Sequence, residues 1–355
     1  MAQSQFNGYE KLRFHRAWLE AYRKGEAVSP ICVEMDMTNA CNYGCPNCVW
    51  GDYITNNRTT VARSQALEQI RQIGAAGIKA IIFSGGGEPL LHPAIAECVE
   101  EARRCGLRVG LFSNGVYLTG KRATVLAASL DWVRIHLDAV SPEGYVRRHR
   151  RSIEDLTKVR ENLAEFNAGN GKVDVGIGSV INPDTFSELP GLAQMAFETG
   201  CRFFQAKHDF DLLSRPEYIS WWAETAVPAL ELLSGQYRSL GLGIQFTVAD
   251  YNALPRSRKC HIHHLATAIN AESDYSYCKR LRNTPAWVAG NLAEDSLTEI
   301  LRGERNQQLS REVTPQNCGI NCPYLGLNDL IDDYCEGRQD IPEPGDIPGK
   351  HVDFF

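Results

Sequence analysis

Apolar runs alternate with amphipathic stretches along the chain between residues 31 and 240. Six of the runs have the length and composition of buried strands: 31–37, 78–84, 107–113, 132–138, 172–181 and 202–207. The intervening segments show helical spacing, as in 94–105, where apolar residues recur at i, i+3, i+4 and i+7. Gly77, Gly106 and Gly200 stand where such helices would end. The alternation predicts an α/β fold with a parallel sheet.

Three cysteines, Cys41, Cys45 and Cys48, follow the first predicted strand at a C-x3-C-x2-C spacing. Three thiolates bind three irons of a cubane [4Fe–4S] cluster and leave the fourth open, whereas most such clusters take four protein ligands. Zinc prefers four closed ligands, and the next cysteine along the chain is Cys98. Disulfides fit poorly because residues 1–10 are polar and lack a secretion signal. The motif therefore predicts an iron–sulfur site with one open iron.

Composition and charge argue against several classes of function. The chain has 355 residues, 43% of them hydrophobic, which allows a sizeable core and roughly two domains. Its net charge is −6 with both signs interspersed, so we expect no nucleic-acid partner. No apolar run is long enough to span a bilayer, so we expect no membrane association. Twelve cysteines without a secretion signal indicate metal ligation in a reducing, cytoplasmic compartment.

The cysteine spacing resembles the signature of the radical S-adenosylmethionine (SAM) superfamily. In that family the open iron chelates SAM, and one electron cleaves SAM to the 5′-deoxyadenosyl radical. The resemblance implies a partial six-stranded (β/α) barrel, which the six strand–helix units match. The cysteine loop would then lie at the C-terminal rim of the sheet, where α/β folds place their chemistry.

Further motifs resemble the family's SAM site. The segment Gly85-Gly86-Gly87-Glu88-Pro89 follows the second strand and resembles the family's GGEP element, whose backbone holds the methionine amino group of SAM. Glycine suits that task because a side chain would block close backbone approach. Ser113 and Asn114, before Gly115, resemble an S/T-N-G turn that helps hold SAM.

Later strands carry other expected contacts. His136 and Asp138 share one face of the fourth strand and occupy the place of the family's Ser-x-Asp, with histidine replacing serine. Asn182 and Gln205 fall where the family contacts adenine and ribose, as do Val180 and Ile181. The residue before the third cysteine is Asn47 rather than an aromatic residue, and Trp50 or Tyr53 would have to supply the packing near adenine.

A second group of cysteines follows residue 250. It comprises Cys260, Cys278, Cys318, Cys322 and Cys335, with the element Gly290-Asn291-Leu292 and a predicted helix over 296–302 between them. The group resembles the SPASM/Twitch extension of radical SAM enzymes. Five cysteines favour the shorter Twitch form, which holds a single auxiliary [4Fe–4S] cluster. The first four cysteines are the preferred ligands, and Cys335 is the alternative to Cys322. A four-cysteine zinc site is the alternative.

The remaining cysteines and a group of three histidines are expected to have structural roles. Cys98, Cys105 and Cys201 are interpreted as small hydrophobic residues. The histidines at 261, 263 and 264 are expected to form a surface turn. The predicted organisation is an N-terminal helical extension (1–29), the partial barrel (30–245), a smaller cysteine-rich Twitch domain (246–340) and an extended C-terminal tail (341–355) with Phe354 and Phe355 as anchors.

The two predicted iron–sulfur clusters favour an oxidation as the reaction of this protein. Within the family the pattern is similar to 2-deoxy-scyllo-inosamine dehydrogenases, which implies hydrogen abstraction from a hydroxylated small molecule such as a sugar, aminocyclitol or nucleoside. The auxiliary cluster would accept one electron, and an external flavodoxin- or ferredoxin-type reductant would supply the first. A base must also take the hydroxyl proton. Period-two alternation places Lys207, His136 and Glu34 or Asp36 on inward faces, and Lys207 is the first candidate.

Other functions stay open at this point. A radical epimerase or lyase would need the same SAM site. A peptide- or protein-modifying enzyme is the main alternative, although forty residues before Cys41 are too few for a leader-binding domain. A non-enzymatic electron-transfer or zinc-structured binding protein ranks last, because it leaves the open iron and the glycine-rich turn without a purpose.

Overall fold

The computed structural model describes residues 8–169, 171–246, 256–318, 322, 324–345 and 350–355. Its strands form one sheet, in the order β10-β9-β8-β1-β2-β3-β4-β5-β6-β7. The strands are β1 (Cys32–Asp36), β2 (Ala80–Ser84), β3 (Arg108–Ser113), β4 (Trp132–His136), β5 (Asp174–Ile181), β6 (Phe203–His208), β7 (Gly243–Gln245), β8 (Ala266–Ile269), β9 (Asp274–Ser276) and β10 (Val288–Asn291).

The six predicted strands are confirmed as β1 to β6, parallel and in consecutive order. The sheet extends beyond them at both edges. On one side β7 pairs with β6 in parallel. On the other, β8 pairs with β1 in parallel, and β9 and β10 follow in antiparallel order. The cysteine-rich region is thus joined to the barrel through β8, beyond a segment at the predicted domain boundary, 247–255, that lies outside the described residues.

Helices lie between the strands β1 to β7, and others precede β1 or follow β10. They are α1 (Gly8–Leu12), α2 (Arg16–Arg23), α3 (Gly51–Asn56), α4 (Arg63–Ala75), α5 (Ile95–Arg104), α6 (Gly120–Ser129), α7 (Pro142–His149), α8 (Ile153–Ala168), α9 (Leu189–Glu198), α10 (Pro216–Trp221), α11 (Val227–Arg238), α12 (Leu297–Arg302), α13 (Glu304–Glu312) and α14 (Leu325–Cys335). Gly77, Gly106 and Gly200 follow α4, α5 and α9 with φ of +78°, +79° and +75°, as expected of residues that end a helix. None of the described helices is long and apolar enough to cross a membrane.

Strand alternation separates two faces of the sheet. Val33, Met35, Ile81 and Phe83 face outward into the main hydrophobic core with the connecting helices. Their neighbours face the space inside the curved sheet, which we call the lumen. Glycines leave room there for large side chains: a Cβ on Gly110 would lie 2.3 Å from the Trp132 ring, and one on Gly176 would lie 2.3 Å from the Phe203 ring.

The end of the chain closes the lumen beside the first residues of the strands. Phe354 and Phe355 are buried in a second hydrophobic cluster with Trp132 and the N-terminal helices. His351 Nε2 lies 2.7 Å from Asp174 Oδ2 at the start of β5. The two phenylalanines are therefore anchors, as the sequence suggests, although residues 346–349 of the predicted tail lie outside the described residues.

Candidate active site

The first three cysteines lie in the loop that follows β1, at the C-terminal edge of the sheet. All three are free, partly exposed thiols. The Cys48 amide donates to the Cys45 carbonyl (3.2 Å), and the Tyr43 amide donates to Cys41 Sγ (3.4 Å). Burial, together with the charges of neighbouring cysteines, raises the pKa of Cys41 to about 11 and that of Cys45 to about 12. The raised pKa values mean that the thiols would release protons on binding iron.

The glycine turn after β2 packs directly against the backbone that leads into Cys41. The Gly87 amide donates to the Thr38 carbonyl (2.9 Å), and the Glu88 amide donates to the Ala40 carbonyl (2.8 Å). A Cβ on Gly87 would lie only 2.1 Å from the Ala40 oxygen, and one on Gly86 only 2.4 Å from Asn39 Oδ1. Only glycine allows this approach. The turn is a cradle that a Cβ would fill, which fits its predicted role toward SAM.

Glu88 ties three loops of the rim together. Its buried carboxylate accepts hydrogen bonds from the Leu90 amide (2.9 Å), Ser113 Oγ (2.8 Å) and the Asn114 amide (2.7 Å). Asn114 Nδ2 in turn donates to Asn42 Oδ1 (2.7 Å) within the cysteine loop. Pro89 begins the short 3-10 turn Pro89–Leu91. The Glu88 carboxylate thus fixes the shape of the predicted SAM site from inside the protein.

His136 and Asp138 form a hydrogen-bonded pair at the end of β4. His136 Nε2 lies 3.1 Å from Asp138 Oδ2, and Asp138 Oδ1 accepts from the Val180 amide (2.8 Å). Burial acts to raise the pKa of Asp138, but the charge of His136 and these hydrogen bonds outweigh it and hold the pKa well below its usual range. The His136 side chain is 42% exposed. An ionised Asp138 therefore orients an accessible imidazole.

His149, which the sequence analysis did not select, connects this pair to the cysteine loop. Its Nε2 accepts a hydrogen bond from the Asp138 amide (3.2 Å), so the ring proton is on Nδ1, which lies 3.5 Å from Cys45 Sγ. Burial lowers the pKa of His149 to about 4, which keeps the ring neutral. The imidazole therefore presents an N–H to a predicted cluster ligand, an arrangement that orients and tunes metal ligands.

Asn182 and Gln205, the other predicted SAM contacts, have partners within the protein. Asn182 Oδ1 accepts from the Asp184 and Thr185 amides (3.0 and 3.1 Å), and its Nδ2 donates to Asp209 (2.8 Å). It closes the turn after β5. Gln205 Oε1 accepts a hydrogen bond from Arg134 in the lumen. Their roles toward SAM stay predictions.

Among the C-terminal cysteines, the charges of Cys278, Cys260 and Cys318 act on Cys322, whereas Cys335 acts together with Cys260 on Tyr22. Burial and then the charges of Cys278, Cys260 and Cys318 raise the pKa of Cys322 to about 12. Cys335 lies at the end of α14, in the second hydrophobic cluster, where Asp332 and Lys259 are its charged neighbours. In the described part of the chain, no three His, Cys, Asp or Glu side chains lie close enough to hold a single metal ion. The preferred ligands Cys260, Cys278, Cys318 and Cys322, with Cys335 as the alternative to Cys322, therefore stay a prediction.

The histidines beside Cys260 do not form a surface turn, so that expectation is wrong. His261 is 3% exposed and His263 is 5% exposed. The His263 ring stacks on Tyr277 with centroids 3.8 Å apart, and His261 Nδ1 lies 2.7 Å from the hydroxyl of Tyr22. Helix α2 supplies Tyr22 from the other end of the chain. Local polarity could not reveal this burial, because the covering helix is distant in sequence.

Two acidic residues of β1 are paired with cations that follow Cys278. Arg282 donates to Glu34 and, at 2.7 Å, to Asp36, while Lys279 Nζ lies 3.2 Å from Glu34. Burial acts to raise the pKa of Glu34, but the charges of Lys279 and Arg282 outweigh it and lower the pKa to about 2. Glu34 and Asp36, considered above as bases, therefore serve to hold the segment after Cys278 against β1.

Lys207 and Arg134 line the same lumen. Burial and then the positive charge of Arg134 lower the pKa of Lys207 to about 7. The Arg134 guanidinium lies 4.0 Å from the centroid of the Phe112 ring. Trp50 also faces this region, with its ring 5.4 Å from the Arg282 guanidinium. Arg134 was missed in the sequence, although its alternation with His136 on β4 places it on the same face.

Comparison with known proteins agrees with this geometry. The radical SAM superfamily model matches residues 35–196, and the SPASM model, an iron–sulfur cluster-binding domain, matches residues 260–323, which contain four of the five C-terminal cysteines but not Cys335. The first match implies a [4Fe–4S] cluster with SAM, and the second implies auxiliary iron–sulfur ligation. The three thiols and the glycine cradle fit the first of these groups.

Relatives of known activity share part of the chain. An S-adenosylmethionine-dependent nucleotide dehydratase of Lacinutrix mariniflava is 31% identical over 136 residues, covering 36% of this chain and 28% of that protein. A PqqA peptide cyclase of Xanthomonas campestris is 27% identical over 239 residues, covering 63% of this chain and 60% of the relative. The matches thus span less than two thirds of these relatives.

A solved structure shows the same fold. SuiB of Streptococcus suis bound to S-adenosylmethionine superposes with a TM-score of 0.65 at 14% identity, covering 88% of this chain and 78% of SuiB. The barrel strands, the cysteine loop at their C-terminal edge and the two family matches lead to one conclusion. Residues 35–196 form a radical SAM domain, and residues 260–323 form a SPASM domain.

Proposed function

We propose that the protein oxidises a hydroxylated small molecule, a sugar, aminocyclitol or nucleoside, by removing hydrogen from a carbon that bears a hydroxyl group. When bound, the first cluster with SAM supplies a 5′-deoxyadenosyl radical, and the auxiliary cluster supplies an electron acceptor. Oxidation of CH–OH to C=O then balances as one hydrogen atom to the radical, one proton to a base and one electron to the acceptor. A flavodoxin- or ferredoxin-type donor in the cytoplasm is the predicted source of the initiating electron.

The observation that carries this proposal is the ion-pair connection between the two cysteine sites. Glu34 and Asp36 belong to the strand that leads into Cys41, and their partners Lys279 and Arg282 directly follow Cys278. The segment that leads into Cys41 and the segment that follows Cys278 therefore meet at β1. A substrate radical formed there would be close to an electron acceptor, which an oxidation needs and an epimerisation or elimination does not.

His136 is the base that the geometry favours. Its imidazole is exposed to the lumen, and an ionised Asp138 orients it and would stabilise the imidazolium formed on proton transfer. Lys207, the first candidate from the sequence, lies beside a second positive charge, Arg134. A pKa of about 7 would itself suit proton abstraction, so Lys207 remains the second candidate for the base.

Substrate screening with the anaerobically reconstituted enzyme tests the proposal. With dithionite, SAM and hydroxylated small molecules, we expect 5′-deoxyadenosine together with a product that has lost two hydrogen atoms. Cys278→Ala is expected to retain SAM cleavage and lose the oxidised product. A product isomeric with the substrate, or one that has lost water, formed undiminished by Cys278→Ala, would replace oxidation with epimerisation or elimination.

Peptide modification is the second candidate. Its support is the PqqA peptide cyclase match, which covers 63% of this chain. The discriminating observation is which substrate class stimulates 5′-deoxyadenosine formation. Stimulation by peptides and by none of the hydroxylated small molecules would favour this candidate over the first.

A further inference from the structure

Three cations line the lumen without an ion-pair partner among the described residues: Arg134 on β4, Lys207 on β6 and Arg280 after Cys278. We call them the lumen cations. Arg134 donates to Gln205, two residues before Lys207 on β6, and the charges of Arg134 and Arg280 both lower the pKa of Lys207, so Lys207 lies within electrostatic reach of each. By contrast Lys279 and Arg282, from the same segment as Arg280, are both paired with carboxylates. Clustering of unpaired positive charge costs free energy unless an anion offsets it.

Arg134 is held in place by features built into the sheet. Its guanidinium lies over the Phe112 ring, 4.0 Å from the centroid, and donates to Gln205 Oε1. A Cβ at position 178 would lie 2.6 Å from Arg134 Cδ, so Gly178 on the neighbouring strand leaves the path of this side chain open. An arginine held by a neutral amide and an aromatic ring keeps its full charge for a ligand.

Arg280 provides a second, independent indication of an anion site. Its Nε is buried and has no hydrogen-bond partner among the described residues. The guanidinium lies 4.5 Å from the centroid of the Phe210 ring. A buried N–H donor without an acceptor is costly, and a ligand oxygen would remove that cost.

The nearest carboxylates are already engaged. Asp138 accepts from His136 and from the Val180 amide, and Glu34 is paired with Lys279 and Arg282. The three cations together carry more positive charge than the single negative charge of a carboxylate ligand can balance. A phosphate monoester balances it better, because it carries nearly two negative charges and three strong acceptor oxygens. Arginine and lysine together are suited to such a group.

We propose that the lumen cations bind a phosphate group of the substrate, so that the hydroxylated small molecule is a phosphorylated one, such as a sugar phosphate or a nucleotide. The inference rests on the proposed function for the reaction, but phosphate binding stands apart from it. Bound in this way, the phosphate would fix the substrate by one end and leave its hydroxylated carbon free to reach His136.

Phosphate binding is measurable without knowing the substrate. Isothermal titration of the anaerobic, SAM-bound holoenzyme with inorganic phosphate at constant ionic strength is expected to show saturable binding, and acetate is expected to bind much more weakly. Arg134→Gln, Lys207→Gln and Arg280→Gln should each weaken phosphate binding about tenfold or more, as expected for loss of a charge-assisted contact. Arg63→Gln removes the same charge from an exposed ion pair with Glu97 and should leave phosphate binding unchanged.

Iron content and circular dichroism show which variants remain folded, and any one folded lumen variant suffices for the test. Acetate binding as tightly as phosphate would overturn the proposal, as would phosphate binding that the folded variants leave unchanged. If phosphate binds saturably but no phosphorylated substrate is oxidised, the proposed function is excluded and the phosphate site is retained. If wild type and Arg134→Gln oxidised an uncharged substrate with the same KM, the proposed function would stand and the phosphate site would be excluded.

Discussion

His149 Nδ1 lies 3.5 Å from Cys45 Sγ, while its Nε2 accepts a hydrogen bond from the Asp138 amide. The two contacts fix the tautomer that carries the proton on the sulfur side. Hydrogen bonds to cluster sulfurs are one of the means by which proteins set reduction potentials. One imidazole therefore connects the end of β4 to the first cysteine loop.

Replacing His149 with Leu is expected to make the potential of the first cluster more negative, because the reduced cluster loses a stabilising N–H. A charge-assisted hydrogen bond of about 1.5 kcal/mol corresponds to roughly 60 mV for one electron. Redox titration followed by electron paramagnetic resonance measures the shift. His149→Gln, which keeps a donor, should recover part of it, and equal potentials in wild type and His149→Leu would contradict the assignment.

Gly87→Ala should abolish SAM cleavage or reduce it at least about tenfold, since the new Cβ would lie 2.1 Å from the Ala40 oxygen and displace the cradle. Formation of 5′-deoxyadenosine and the SAM Kd are the measurements. Gly235→Ala is the matched control, because nothing lies within 4 Å of its Cβ position in α11. Unchanged SAM binding by Gly87→Ala would show that the turn does not form the SAM site.

Arg282→Gln should destabilise the protein by about 3–5 kcal/mol, because it leaves the buried carboxylates of Glu34 and Asp36 without their main partner. Denaturant unfolding of the anaerobic holoenzyme measures the loss. Glu97→Gln, at the exposed Arg63 pair, should cost no more than about 1 kcal/mol. A similar cost for both variants would mean that the buried pairs do not stabilise the connection between β1 and the segment after Cys278.

The lowered pKa of Glu34 also predicts that the free energy of unfolding falls in acid. Its pKa is lowered from 4.5 to about 2, so the folded state binds fewer protons than the unfolded state between these values. The contribution of Glu34 is therefore complete above about pH 5 and is lost progressively as the pH falls toward 2. Free energies of unfolding measured from pH 6 downward should fall less steeply in Glu34→Gln than in wild type. Parallel curves would exclude Glu34 as a source of this acid sensitivity.

Binding of an anion by the lumen cations should weaken as the pH rises through about 7, where free Lys207 loses its proton. Asp138 and Glu34 raise the pKa of Lys207, while burial, Arg134 and Arg280 lower it more strongly. Sulfate is the suitable probe because it remains a dianion across this range. Its affinity should decline between pH 6 and 8 in wild type and stay flat in Lys207→Met, and an equal decline in both would assign the effect to another group.

Iron and sulfide analysis tests the auxiliary ligands. The reconstituted wild type is expected to hold about eight irons, and Cys41/Cys45/Cys48→Ala about four, corresponding to one cubane at each site. Cys335→Ala should keep the wild-type content, since the cysteines whose charges act on Cys322 are Cys278, Cys260 and Cys318. Loss of auxiliary iron in Cys335→Ala and not in Cys322→Ala would reverse the assignment.

Local pattern determined a large part of this structure. The six barrel strands, the glycines that end α4, α5 and α9, and the cysteine loop after β1 all follow from the period of apolar residues and from residue types with special backbone needs. These features depend on neighbours within a few residues. They are therefore readable from the sequence, and so is the family resemblance that depends on motif spacing.

Contacts between distant segments were decided only by the tertiary structure. Arg282 and Glu34 are 248 residues apart, His149 and Cys45 are 104 apart, and the histidines after Cys260 are covered by a helix near residue 20. Strand alternation and charge made Glu34 a candidate base, and polarity made those histidines a surface turn. Which partner a charged or aromatic side chain meets depends on how the sheet curves and how the segment after Cys278 folds back on β1, because ion pairs and ring stacks form only at short range.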